Sequence, residues 1–223
     1  CTTLVDYGDF TPSEVFFPPI IEPQKIIRRS SRVIGSRYRK NGQIEYRDLE
    51  KSRILFIPTM YQQNFLYGPK HAYESIEYYK WHLAVTDILR NVTVKMHPKS
   101  RFHPKFECRV DYRRLDECLD DYDLLIFDFF ATAAVLTIFS DKPVIYFNIG
   151  LRTMDGEFYR DLESRCTLVN VDFEENWDDQ ILLGLSEYES EKKTCSNVEL
   201  EKYSLCDHDE FSMSKVIIDI ITS

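Results

Sequence analysis

Hydrophobic residues in this chain fall into short runs separated by helical spacing, and from Arg53 onward the two patterns alternate. Ile54–Ile57 is a four-residue apolar run stopped by Pro58, and residues 71–90 then carry apolar side chains at Ile76, Tyr79, Leu83 and Ile88, the spacing of a helix face. Val92–Met96 is the next β-rich run, Phe106–Val110 a weaker one, and Arg113–Leu119 a short charged helix. Leu124–Phe127, Val144–Phe147 and Thr167–Val171 read as further strands. Between and after them, Ala131–Phe139, Glu157–Arg165, Asp178–Tyr188 and Ser212–Ile221 read as helices. Strands apolar on both faces, each followed by a helix, predict an α/β, Rossmann-like doubly wound parallel sheet.

The first 50 residues break this rhythm. Prolines at Pro12, Pro18, Pro19 and Pro23 oppose both helix and central strand, and a basic stretch runs from Lys25 to Lys40. Residues 1–50 are therefore expected to be a linker or an N-terminal extension from a missing domain, with Ser31–Gly35 its one strand-like run. Residues 51–223 form the expected nucleotide-binding domain. The chain opens on Cys1 without an initiating Met or a signal-peptide pattern, which reads as a piece of something longer.

Composition narrows the partners. A formal charge of −9 provides no positive field for a nucleic-acid backbone or an anionic membrane, so no nucleic-acid partner is expected. No apolar run approaches the roughly 20 residues of a membrane helix. Six cysteines lack CxxC or Cys/His ligand spacing, which argues against structural zinc and for reduced thiols in the cytoplasm.

Ligands of an open doubly wound sheet bind beyond the carboxyl ends of its strands, where strand order reverses. That rule selects four loops: residues 58–64, 97–103, 128–133 and 148–150. In Lys95-Met96-His97-Pro98-Lys99, a strand ends on a histidine that Pro98 keeps out of helix. His97 with Lys95 and Lys99 could meet a phosphate, or could be a solvated loop histidine in a basic turn. In Asp128-Phe129-Phe130-Ala131-Thr132, a buried strand turns into a helix whose first amides and Thr132 hydroxyl suit a phosphate; the alternative is that Asp128 or Thr132 merely caps the helix. Thr59, Tyr61, Asn148 and Glu157 are further candidates for donor contacts. His71 and His82 lie on the first long helix and are read as surface or core packing. GxGxxG, P-loop, GxSxG and HExxH motifs are all missing, which removes the main support for dehydrogenase, NTPase, serine hydrolase and zincin readings.

Three segments together resemble the bacterial surface-polysaccharide transferases that use CMP- or CDP-activated donors, including capsule and lipopolysaccharide Kdo and sialyl transferases and CDP-glycerol glycerophosphotransferases. Lys95-Met-His97-Pro98 is similar to their K-x-H-P strand end. Asp128-Phe-Phe-Ala131-Thr132 is similar to their Asp-x-x-Ser-Thr turn, and Asp141-Lys142-Pro143-Val144-Ile145 to the x-K-P-V-I strand that follows. Phe129, Phe130 and Ala131 depart from the small or polar residues usual in that turn.

The resemblance implies one half of a GT-B fold. In it His97, with Lys95 and Lys99, and Thr132 with the amides near Ala131 would bind the nucleotide and phosphate of the donor, while Asp128 would shape the turn. It implies a nucleotide-activated sugar as substrate, with no cofactor and no metal. The glycan acceptor and catalytic base would be supplied through a missing N-terminal domain, and the protein would work in the cytoplasm in peripheral association with a membrane-bound assembly complex. A non-catalytic scaffold of the same fold and a sugar-nucleotide epimerase are the competing readings.

Overall fold

The computed structural model describes residues 3–7, 25–29, 44–61, 73–97, 100, 105–151, 154 and 156–191, with the side chains of residues 3–7, 25–29, 132 and 191 left aside. Two strands lie in the proline-rich N-terminal region, where the sequence reading expected irregular chain. β1 (Thr3–Tyr7) and β2 (Lys25–Arg29) pair in parallel, Thr3 opposite Lys25 through Tyr7 opposite Arg29. All four prolines of that region fall between these strands rather than within them, so no ladder donor is lost. The run 31–35 lies outside the described residues.

Six parallel strands form the main sheet: β3 (Ile54–Ile57), β4 (Val92–Lys95), β5 (Arg109–Asp111), β6 (Leu124–Phe127), β7 (Val144–Asn148) and β8 (Thr167–Asn170). Their order across the sheet is β5-β4-β3-β6-β7-β8. Ile54 lies opposite both Val92 and Leu124, so β3 and β6 are the central pair. The helices are α1 (Ser75–Ile88), α2 (Leu115–Cys118), α3 (Thr132–Ile138), α4 (Gly156–Arg165) and α5 (Trp177–Glu191). The chain is thus an α/β, Rossmann-like doubly wound fold. The expected C-terminal helix, 212–221, lies outside the described residues.

Two hydrophobic cores sandwich the sheet, and the pleat sorts residues between them. Ile54, Phe56, Leu124, Ile126, Ile145 and Phe147 pack with Trp81, Val85, Ile181 and Leu185 of α1 and α5. The alternate positions Leu55, Ile57, Leu125, Phe127, Val144 and Tyr146 pack with Cys118, Ala134, Ile138, Phe158 and Leu162 of α2, α3 and α4. Strict alternation between two covered faces is what a period of two requires of a doubly buried strand.

The buried stripe of α1 is not the one that apolar spacing suggested. Tyr78, Trp81, His82, Val85 and Thr86 are buried, whereas Ile76 is 48% exposed. The helix carries aromatic or aliphatic residues on nearly every side, so apolar content alone does not single out the inward face. Arg165 at the end of α4 is fully buried, and its guanidinium donates to the carbonyls of Ile138, Ser140 and Lys142 at 2.7, 3.0 and 2.8 Å. This closes the C-terminal end of α3 and holds the crossing into β7. Among the described residues, Cys108, Cys118 and Cys166 form no disulfide with one another. Among the described residues, no helix is long and apolar enough to cross a membrane.

Candidate functional site

Strand order reverses between β3 and β6: the chain proceeds from β3 outward through β4 to β5, then returns to β6 and proceeds the other way. The loops leaving these two strands must diverge, and the crevice between them is where such sheets hold ligands. Its walls begin at Pro58-Thr59-Met60-Tyr61 and at Asp128-Phe129-Phe130-Ala131.

Asp128 joins the two walls. It follows Phe127 by one residue, so the pleat turns it to the face of Leu124 and Ile126, toward α1. There its carboxylate accepts the Thr59 backbone N–H at 2.6 Å, the Trp81 indole N–H at 3.2 Å and His82 Nε2–H at 2.7 Å. Tyr61 reaches His82 from the other side, its hydroxyl meeting Nδ1. Three N–H donors converge on Asp128, so both its oxygens accept. In the neutral ring, an Nε2–H facing Asp128 leaves Nδ1 to accept from the Tyr61 hydroxyl.

Tyr61, Trp81, His82 and Asp128 are all at most 2% exposed. Burial pushes the Tyr61 phenol well above its ordinary range, which keeps it protonated as a donor. A buried carboxylate is tolerated only when its charge is fully hydrogen-bonded, and here three donors do so. Phe56 and Tyr61 meet the His82 ring edge-on at 5.5 and 5.3 Å, fixing its plane.

Asp128 does not cap α3. The N-cap is Ala131, which has no side-chain capping bond, and Thr132 is the first helical residue. Phe130, unexpected in such a turn, is 5% exposed and packs against Phe158, Phe127 and Tyr146 at 5.1, 6.2 and 6.4 Å. It anchors the turn into the core on the α3 and α4 side.

Thr59 is 2% exposed, and its hydroxyl has no hydrogen-bond partner among the described residues. Tyr61 is buried and engaged with His82.

The basic strand end divides. Along β4, Val92 and Val94 face α1 and α5, which sends Lys95 to the opposite face. Lys95 is 6% exposed and donates to the Met96 carbonyl at 3.2 Å. Burial lowers its ammonium below the usual range, with Cys118 and Asp111 among its neighbours. Its ammonium therefore lies on the α2 side of the sheet. His97 stands half-buried two residues beyond β4, where its carbonyl accepts the Ser100 N–H at 3.0 Å. Lys99 lies outside the described residues.

Asn148 ends β7 directly opposite Asn170 at the end of β8. Its amide nitrogen donates to Asn170 Oδ1 at 2.8 Å, and its own Oδ1 accepts from the Tyr146 hydroxyl at 3.2 Å and the Gly150 N–H at 3.3 Å. Gly150 has φ of 75°, a left-handed turn that suits glycine and swings the chain away from the strand end. Glu157 is exposed in the first turn of α4.

His82 and Trp81 were missed as site residues, although a signal for His82 exists. It lies at i+4 from Tyr78 and i−3 from Val85, inside the buried stripe, and a polar ring at a core position requires a polar partner.

No family model matches the sequence, and no curated protein matches it. Among solved structures the chain is similar to the glycotransferase of kitacinnamycin, at 12% identity and a TM-score of 0.47 over 82% of this chain; it spans 46% of that protein's length.

Proposed function

We propose that this chain is the donor-nucleotide-binding half of a GT-B-type glycosyltransferase, which moves a sugar from a CMP- or CDP-type donor to a surface-polysaccharide or other glycan acceptor. The observation that carries the reading is the strand-order reversal between β3 and β6, whose two departing loops are tied by the Thr59–Asp128 hydrogen bond at 2.6 Å. The segments similar to the transferase motifs stand at strand ends of this sheet, His97 beyond β4 and the 128–132 turn beyond β6.

In this reading the donor phosphates lie against the 128–132 turn. α3 is only seven residues long, so local N–H groups and the Thr132 hydroxyl, rather than a long-helix dipole, supply the attraction. His97 adds a donor from the neighbouring side. Neutralising the phosphate charge by these groups stabilises the departing nucleotide without calling on a metal. The acceptor and the general base come from a second domain.

The test is calorimetric titration of the protein with CMP, CDP, UDP and GDP, alongside His97→Ala and Thr132→Ala. Cytidine nucleotides are expected to bind, and each substitution to weaken them by about 1–3 kcal/mol, the worth of a lost charge-assisted hydrogen bond. A folded protein that takes up no nucleotide would sink the donor reading in favour of a non-catalytic module of the same fold.

A further inference from the structure

We infer that Tyr61, His82 and Asp128 form a buried positioning relay that presents Thr59 to a phosphate-bearing ligand in the crevice. The inference rests on the donor reading for the identity of that ligand, and on the geometry alone for the relay.

The relay links three separate elements. Tyr61 lies in the loop after β3, His82 on α1 and Asp128 at the end of β6, and every polar atom joining them is shielded from solvent. Asp128 gives the buried Thr59 and Trp81 N–H groups an acceptor, but a neutral acceptor would suffice for that; the buried charge and the Tyr61–His82 arm go beyond it. What the polar trio adds is direction. His82 holds Asp128 Oδ2 and is itself oriented by the Tyr61 hydroxyl, which leaves Oδ1 aimed at the Thr59 amide. The backbone of Thr59 is thereby fixed relative to the 128–131 turn, across the point where the strands diverge.

Thr59 is the residue that benefits. Its amide is engaged by the relay, while its hydroxyl is buried and has no partner among the described residues. A buried hydroxyl left without a partner is costly unless a bound molecule completes it. A phosphate oxygen in the crevice is such a partner, accepting from Thr59 Oγ1 on one wall as it accepts from the turn on the other. Thr59 is then a ligand-contacting residue, and Tyr61 and His82 are positioning residues acting through Asp128.

The experiment uses the full chain with CMP and CDP as probes, and reads both affinity and thermal unfolding for wild type, Tyr61→Phe, Thr59→Val and Thr59→Ser. Tyr61→Phe keeps the ring that packs on His82 and removes only the donor. It is expected to lower the unfolding midpoint by about 2–4 °C and to weaken nucleotide binding by about tenfold. Thr59→Val is expected to raise the midpoint, because an unpartnered buried hydroxyl is gone, while weakening binding by about tenfold; Thr59→Ser restores binding to within about threefold. A purely structural role does not move stability and affinity in opposite directions. Wild-type affinity in either Tyr61→Phe or Thr59→Val overturns the proposal.

If wild type binds neither nucleotide, the donor reading fails and the relay is judged by amide hydrogen exchange. Thr59 exchanging about tenfold faster in Tyr61→Phe, with Leu55 and Ile126 unchanged, upholds the positioning role. Equal exchange at Thr59 in both proteins overturns it.

Discussion

Asp123 shows how much one carboxylate at the base of the sheet contributes. It precedes β6 and accepts from the Arg53 backbone N–H at 3.0 Å and from the Arg53 guanidinium at 2.9 and 3.1 Å, with Arg47 a further 3.1 Å away. Hydrogen bonding to Arg53, against the opposing cost of burial, holds the Asp123 carboxyl down at about 2. A folded-state value below the unfolded one means the ion pair stabilises fully above the unfolded pKa and is lost as pH falls through the folded pKa. Arg53 is more than half exposed, so solvent screens part of the gain. Asp123→Asn is therefore expected to destabilise the protein by about 1–2 kcal/mol at neutral pH, with the gap to wild type closing between about pH 4 and pH 2. Urea unfolding of both proteins across that range measures it. A gap that persists unchanged to the acid end would mean that packing, and not charge, carries the effect.

The elements differ in how far their sequence declares them, and α5 shows why. Its existence is plain from the chain, which marks 178–188 of the observed Trp177–Glu191, but its seat on the sheet depends on Gly184. A Cβ there would stand 2.9 Å from both the Phe147 ring and a Val169 methyl. Both neighbours are core side chains with little room to yield, so Gly184→Ala is expected to cost about 1–2 kcal/mol in chemical denaturation, overriding the helix-propensity gain of up to about 1 kcal/mol. An alanine variant more stable than wild type would show that α5 can slide outward freely. No period-3.6 pattern announces such a contact, because it is made by the absence of a side chain. The strands were legible for the converse reason: Ile54–Ile57 and Leu124–Phe127 are buried on both faces, so each is an uninterrupted apolar run. α1 was legible as a helix but not as a face, since Ile76 and Leu83 are as apolar as the residues that turn inward. With the wrong face chosen, His82 read as ordinary, and the partner of Asp128 was lost with it. Asp128 itself stood out in the sequence as the end of a buried strand, and the pleat that turns it from α3 toward α1 follows from counting back to Leu124.

At the scale of the whole molecule, the core and the candidate site are arranged around the same central pair of strands. β3 and β6 each have a strand on either side and a core on either face, while β5 and β8 are the edges of the sheet. The reversal thus falls where the sheet is flanked on both sides, so the Thr59–Asp128 link leaves directly from the two central strands. Local opening free energies should follow that layering, since an amide in the middle of the sheet is released only when both cores open, whereas an edge strand frays alone. Native-state hydrogen exchange is expected to find Leu55, Phe56, Leu125 and Ile126 exchanging slowest, at the global unfolding free energy. The amides of β5, where Arg109 is exposed and Val110 only half-buried, are expected to open at a free energy at least about 2 kcal/mol lower. Uniform protection across β5, β3 and β6 would instead make the sheet a single cooperative unit. The crevice would then owe its rigidity to the fold as a whole rather than to its place at the centre.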